Sequence, residues 1–284
     1  MAKIAGLTYV DEGEGPVALF LHGVGTSSHL WRHVIAELRG ERRCVAPDLP
    51  VHGGSDLRED LSLPALADAI EEFCAELGLG PVDLVANDTG GAVAQQLAVR
   101  HPARLRTLTL TNCDVHDDTP PPAFRPTVEL AERGELAGLV GVVLDQPELL
   151  SATAYGQSYE RIGDPAAVVE AYLRPILGKP GGGEAFERLL TSIDAKDMIA
   201  IEPALTLLAV PALVVWGTGD VFFETRWARW LRDTIPGVRK VVEIEGGRLF
   251  FPEERAAELV PHLRAFWESE RATAAGSVSA RGRG

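Results

Sequence analysis

The sequence predicts an α/β fold: a mostly parallel, twisted sheet flanked by helices and interrupted by a helical insertion. Three observations carry that prediction. Short runs rich in Val and Leu alternate with amphipathic helical patterns over residues 17–112. The alternation stops at the proline cluster 120–122 and gives way to helical pieces without a clear strand. It resumes at residue 211 and closes in a helix near residue 270. Strands that alternate with helices in this way need crossovers on both faces of a parallel sheet.

The elements follow in chain order. The runs VALFLH (17–22), RCVAPD (43–48), VDLVAN (82–87) and LRTLTLTN (105–112) read as buried strands. Helical patterns occupy 29–40, 63–78 and 91–102 between them. In the second helix Leu66, Ala69, Ile70, Phe73, Cys74 and Leu77 recur at three- and four-residue steps, which puts them on one face. Three successive prolines fit neither a helix interior nor a central strand. The stretch 115–200 therefore reads as a helical cap, broken at Gly134, Pro147, Gly163–Pro165 and the turn GKPGGGE (178–184). The core then resumes with PALVVWG (211–217), a helix over 225–235, RKVVEIE (239–245) and a last helix over 252–270. Residues 1–114 and 201–270 form the expected core, and 271–284, poor in apolar side chains, are expected to be disordered.

Composition narrows the function. The chain has 284 residues, 46% hydrophobic and 24% charged, ordinary for a globular protein. At this length a chain buries about three quarters of the surface its unfolded form exposes, enough to enclose a dry site. Asp and Glu outnumber Lys and Arg by 41 to 27, a formal charge of −14. That balance argues against nucleic acid or an anionic membrane as partner. No apolar run reaches the ~18 residues of a membrane-spanning helix, and the N-terminus lacks a signal-peptide pattern. Cys44, Cys74 and Cys113 are odd in number and widely spaced, so reduced thiols and a cytoplasmic location are expected. No metal or cofactor is implied, and the oligomeric state is open.

Chemistry in such a sheet belongs at the carboxyl ends of the strands. There the sequence places His22-Gly23-Val24, Ala86-Asn87-Asp88-Thr89-Gly90, Asn112, Asp220 and Gly247-Arg248-Leu249-Phe250. The second of these has the small-x-acid-x-small form of a nucleophile elbow, a sharp strand-to-helix turn that lifts its central side chain into a site. A dinucleotide-binding reading of Gly23-Val24-Gly25 fails because position 28 is Ser. GKPGGGE follows no strand and lacks the ending of a phosphate-binding loop.

HGVGTSSHLW, APDLPVHGGSD, NDTGGAVAQ and WGTGD, in this order, resemble the α/β-hydrolase superfamily over residues 5–270. More narrowly they resemble the branch of haloalkane dehalogenases and epoxide hydrolases, whose elbow carries Asp. The resemblance implies an α/β-hydrolase fold with a helical cap, Asp88 as the reacting group and Asp220 as the supporting acid. It implies an oxyanion hole from the N–H groups of Val24 and Thr89. His22, Asn87, Asn112, Tyr155, Tyr159 and Leu249 are expected to line the site.

The chain departs from the branch in one decisive place. The histidine that activates water in the family falls at Leu249, beside Arg248, and neither side chain can act as a general base. His262 lies further along in the last helix. Halide-binding side chains are also replaced, by Thr89 and Val24. His116, flanked by Asp114, Asp117 and Asp118, is the local candidate for a displaced base. Tyr155, Tyr159 and Tyr172 in the cap are candidate proton donors. The expectation is an enzyme acting on a small or medium organic molecule through Asp88 as nucleophile or acid/base, without conventional His-dependent hydrolysis. An epoxide-opening, addition or elimination step in secondary metabolism fits. The alternatives are a hydrolase of the epoxide or halide class with a displaced base, and a ligand-binding protein.

Overall fold

The structure is a computed structural model that describes residues 2–281, with side chains described to residue 274. Eight strands form one sheet in the order β1-β2-β4-β3-β5-β6-β7-β8. They are β1 (Ala2–Ile4), β2 (Leu7–Glu12), β3 (Val17–Leu21), β4 (Arg43–Pro47), β5 (Val82–Asp88), β6 (Leu105–Cys113), β7 (Ala212–Gly217) and β8 (Val238–Ile244). From β4 to β8 neighbouring strands run parallel. The β1/β2 and β2/β4 pairs are antiparallel. Strands β3, β5 and β7 are almost wholly buried, as continuous apolar runs between two helical layers must be. The hairpin β1–β2 has no counterpart in the sequence reading. Its residues are short, half-exposed and interleaved with charge, so no apolar run marks them.

The helices of the first half are α1 (Arg32–Leu38), α2 (Leu63–Glu76) and α3 (Thr89–Arg100). Ser62 opens α2 by accepting from the Ala65 N–H, and Leu66, Ala69, Ile70, Phe73 and Cys74 are buried on the expected face. Between β6 and β7 the described residues hold helices and no strand. These are α4 (Arg125–Glu132), α5 (Leu136–Asp145), α6 (Ala154–Ser158), α7 (Pro165–Val168), α8 (Arg174–Leu177), α9 (Gly182–Ser192) and α10 (Ala195–Leu205). Helix α10 packs on α3, and Gln96 on α3 donates to the Asp197 carbonyl at 2.7 Å. The last helix before β7 thus rests directly on the core. The chain ends with α11 (Thr225–Thr234), α12 (Phe251–Glu254) and α13 (Ala256–Arg281). Helix α13 continues through residues expected to be disordered, because Ala-rich sequence with a single Gly supports propagation. Residues 282–284 of that tail lie outside the described residues.

Polar contacts fix the insertion to the core on two sides. On one side Lys179 donates to the carbonyls of Val51 at 2.8 Å and Ser55 at 2.7 Å. On the other, Arg248 donates to the carbonyl of Tyr159 at 2.9 Å, and Glu254 accepts from the N–H groups of Glu160 and Arg161. Below them Glu253 is buried, taking the hydroxyls of Tyr159 at 2.9 Å and Tyr172 at 2.6 Å and pairing with Arg32 at 2.9 Å. Replacing this carboxylate leaves two buried hydroxyls without an acceptor. Glu253→Ala is expected to cost about 2–4 kcal/mol in urea unfolding. A loss under about 1 kcal/mol would show that the cluster does not fasten the insertion.

Candidate active site

The strand order reverses between β3 and β5, and the loops leaving their carboxyl ends face one another at that switch point. Asp88 is the last residue of β5 and the residue before α3, with φ 56° and ψ −137°. A non-glycine residue holds this backbone only where its surroundings impose it. Small neighbours permit the turn: a Cβ on Gly90 would lie 2.3 Å from the His22 carbonyl oxygen. One on Gly23 would lie 2.2 Å from Asp88 Oδ2.

The N–H groups of Thr89 and Val24, the donors of the expected oxyanion hole, lie beside the Asp88 carboxyl and favour its charged form. Burial holds the Asp88 carboxyl well above the usual carboxylate range, and nearby Asp114 pushes it the same way, against the two N–H groups.

Above the elbow lies a cavity of about 530 Å³, within the range of sites for drug-sized molecules. Its floor is Val24, Asp88, Thr89, Asp114 and Leu249, and its roof comes from the insertion. Phe124, Phe186, Phe222, Phe223 and Phe250 line its walls. The ionisable residues among the lining are Asp88, Asp114 and Tyr155. None of the seven histidines lines it.

The other candidates hold different posts. Leu249 fills the floor, and its carbonyl accepts from Asn87 Nδ2 at 3.1 Å, so Asn87 tethers the loop without facing the cavity. Asn112 donates to Asp220 at 2.8 Å and accepts from the Gly217 N–H at 2.6 Å. Asp220 also accepts from the Phe222 N–H at 2.9 Å, and neither it nor Asn112 lines the cavity. Burial lifts the Asp220 carboxyl to about 6 against those bonds. Tyr155 lines the cavity and donates to the Gly25 carbonyl. Tyr159 and Tyr172 stand away from the cavity on Glu253.

His116 does not reach the site. At φ 51° the chain turns outward, and the ring lies between Asp117 and Glu202, each at 3.1 Å, near Trp230. His22 is a brace. Its Nε2 accepts from the Leu49 N–H at 2.9 Å, and its Nδ1 lies 2.8 Å from the Gly23 carbonyl. His52, absent from the sequence reading, works alike: Nε2 accepts from the Gly25 N–H at 3.0 Å and Nδ1 faces the Pro50 carbonyl at 3.0 Å. A ring that accepts on Nε2 and faces a carbonyl on Nδ1 is the neutral Nδ1–H tautomer. Burial lowers the basicity of both rings. They hold the loop that follows β3, and neither has a free nitrogen.

Asp114 is the site residue that sequence reasoning passed over. It is 2% exposed and lies on the cavity floor. Its Oδ2 accepts from the Thr89 hydroxyl at 3.1 Å, while Oδ1 is buried without a partner. Burial lifts its carboxyl to about 7. The signal available was its place just beyond a strand end, next to the strand that carries the elbow.

A model of the α/β hydrolase fold matches residues 16–255, and the chain belongs to that family. It is 26% identical to a cis-3-alkyl-4-alkyloxetan-2-one decarboxylase of Xanthomonas campestris, over 92% of each chain. It is 29% identical to haloalkane dehalogenase 2 of Mycobacterium tuberculosis, over 77% of this chain and 76% of that one. The crystal structure of a haloalkane dehalogenase from Bradyrhizobium elkani superposes with a TM-score of 0.79 at 21% identity, covering 94% of this chain and 95% of the other.

Proposed function

We propose that this α/β-hydrolase-fold protein is an enzyme that uses Asp88 on a neutral, largely apolar organic molecule without His-dependent hydrolysis. The observation that carries the reading is Leu249 at the floor of a cavity that no histidine lines. A carboxylate can still attack carbon there, but an alkyl ester on Asp88 would meet no base to activate water. Loss of a general base typically costs 10²–10⁴ in rate. A largely uncharged wall and two floor carboxyls disfavour an anionic substrate. A protonated Asp88 suits a different task, giving a proton to the oxygen of a strained ring as that ring opens. The named substrate class of the Xanthomonas relative, a four-membered cyclic ester with two alkyl chains, is also neutral and apolar. An epoxide, or a precursor for addition or elimination in secondary metabolism, has the same character.

The test is incubation with an aryl-alkyl epoxide small enough for the cavity. Attack by Asp88 is expected to leave an ester seen as a mass adduct on the peptide that contains Asp88, with no diol released. In Leu249→His the new imidazole lies on the floor, and slow diol release with loss of the adduct is expected. Rapid diol formation by the parent chain, without an adduct, would overturn the reading.

A further inference from the structure

We propose that Asp114 is a second catalytic carboxyl, which takes a proton from the substrate while Asp88 gives one. The reaction class that follows transfers one proton off the substrate and one proton on, and incorporates no water. The inference rests on Asp88 being the reacting group and deepens that reading.

The geometry is the warrant. The register of β5 against β6 sets Asp88 opposite Cys113. The next residue, Asp114, therefore leaves the sheet alongside the elbow, on the same cavity floor. Its two oxygens are used unequally. Oδ2 is fixed by the Thr89 hydroxyl at 3.1 Å, and its backbone carbonyl is fixed by Gln95 Nε2 at 2.9 Å. Oδ1 is buried and has no partner in the protein. A buried polar atom without a partner costs about 1–3 kcal/mol, a cost that a proton passed to this carboxyl from a group bound in the cavity would relieve. No arginine, lysine or histidine lines the cavity to neutralise it. A purely structural aspartate would have both oxygens paired.

Asp88 and Asp114 line the same floor, and the negative charge of one disfavours ionisation of the other. The groups facing Asp114 are Asp88 from the elbow, Cys113 beneath and Asp118 from its own loop; Asp220 and Tyr155 face Asp88. Burial is the largest influence on both carboxyls and favours their neutral forms. Asp88 is pushed well above its usual range and Asp114 is lifted to about 7, so both carboxyls are disposed to exchange protons with a bound molecule.

Kemp elimination of 5-nitrobenzisoxazole, a neutral apolar probe, reads this pair directly. The Asp114 carboxylate takes the ring C–H proton, and that bonding pair completes the nitrile. The N–O bond breaks with its pair on the phenol oxygen, which receives the Asp88 proton. The parent chain is expected to accelerate nitrophenol release, with a rate that rises through pH about 7. Asp114→Asn is expected to lower the rate at least tenfold and to remove that rise. Thr89→Val keeps the carboxyl and removes the bond that favours its charged form, so the rise moves to higher pH. An unchanged rate in Asp114→Asn, an unmoved profile in Thr89→Val, or no acceleration by the parent chain would each overturn the proposal. Full loss in Asp88→Asn with none in Asp114→Asn would overturn it while leaving Asp88 as the reacting group. Rapid diol release in the epoxide experiment would instead remove the reading beneath it.

Discussion

Asp88→Asn is expected to leave a folded protein that no longer forms the epoxide adduct and turns over any substrate at least 10²-fold more slowly. The magnitude is that of losing a positioned acid or base, and losing a covalent route would add to it. Asn suits the test better than Ala. It keeps the side-chain volume between Gly23 and the oxyanion donors, and it tolerates the positive φ that the elbow requires. The variant is also expected to be more stable than its parent, because a buried carboxyl beside Asp114 and Asp220 is replaced by a neutral amide. Function and stability are opposed at this position, as they are wherever a site buries charge for reaction. Circular dichroism, thermal unfolding and mass spectrometry of the epoxide-treated protein together check the prediction. A folded variant with unchanged labelling or turnover would remove Asp88 from the mechanism.

The second expectation is a stability difference that depends on pH. Burial lifts Asp114 from 3.8 to about 7 in the folded chain. The folded state then binds more protons than the unfolded state between these values, and stability must fall as pH rises through the window. At 1.36 kcal/mol per pH unit the loss from this one group approaches about 4 kcal/mol. Buried His22 and His52, with lowered basicity, change stability in the opposite sense as the pH passes their range. The clean quantity is thus the difference between Asp114→Asn and its parent. That difference is expected to move in favour of the variant from pH 4 to pH 8, by a few kcal/mol, in urea unfolding at a series of pH values. A difference that stays constant would mean that Asp114 titrates as an ordinary surface carboxylate.

The central strands, the elbow and the helical insertion were legible because each rests on local pattern. Apolar runs mark the buried strands, prolines mark the break, and the residues around Asp88 fix its turn. What escaped depends on three-dimensional neighbours. The roles of Asp114 and His116 illustrate the limit. They are two residues apart in one polar segment, and the sequence favours the histidine as the more versatile base. The β5/β6 register puts Asp114 on the floor, and the left-handed turn at His116 sends its ring outward to Glu202. Similarly, Asn87 and Asn112 stand at the carboxyl ends of strands, yet hydrogen bonds to Leu249 and Asp220 make them supports. His52 sits inside a motif that the sequence reading used for resemblance alone, and its bond to Gly25 emerges only from the folded loop.

The fastenings of the insertion are unevenly placed around the cavity. Lys179 pins one flank and the Arg248–Glu254 segment pins another, so neither flank is free to lift without breaking several bonds. Among the described residues, the flank formed by α5 and the turn after it carries no comparable clamp to the sheet's loops. Leu139, Val142 and Leu149 are there, each more than a third exposed while lining the cavity. These side chains put hydrocarbon between solvent and the two carboxyls on this flank. An apolar epoxide is therefore expected to label Asp88 faster than a hydrophilic one of the same size and intrinsic reactivity.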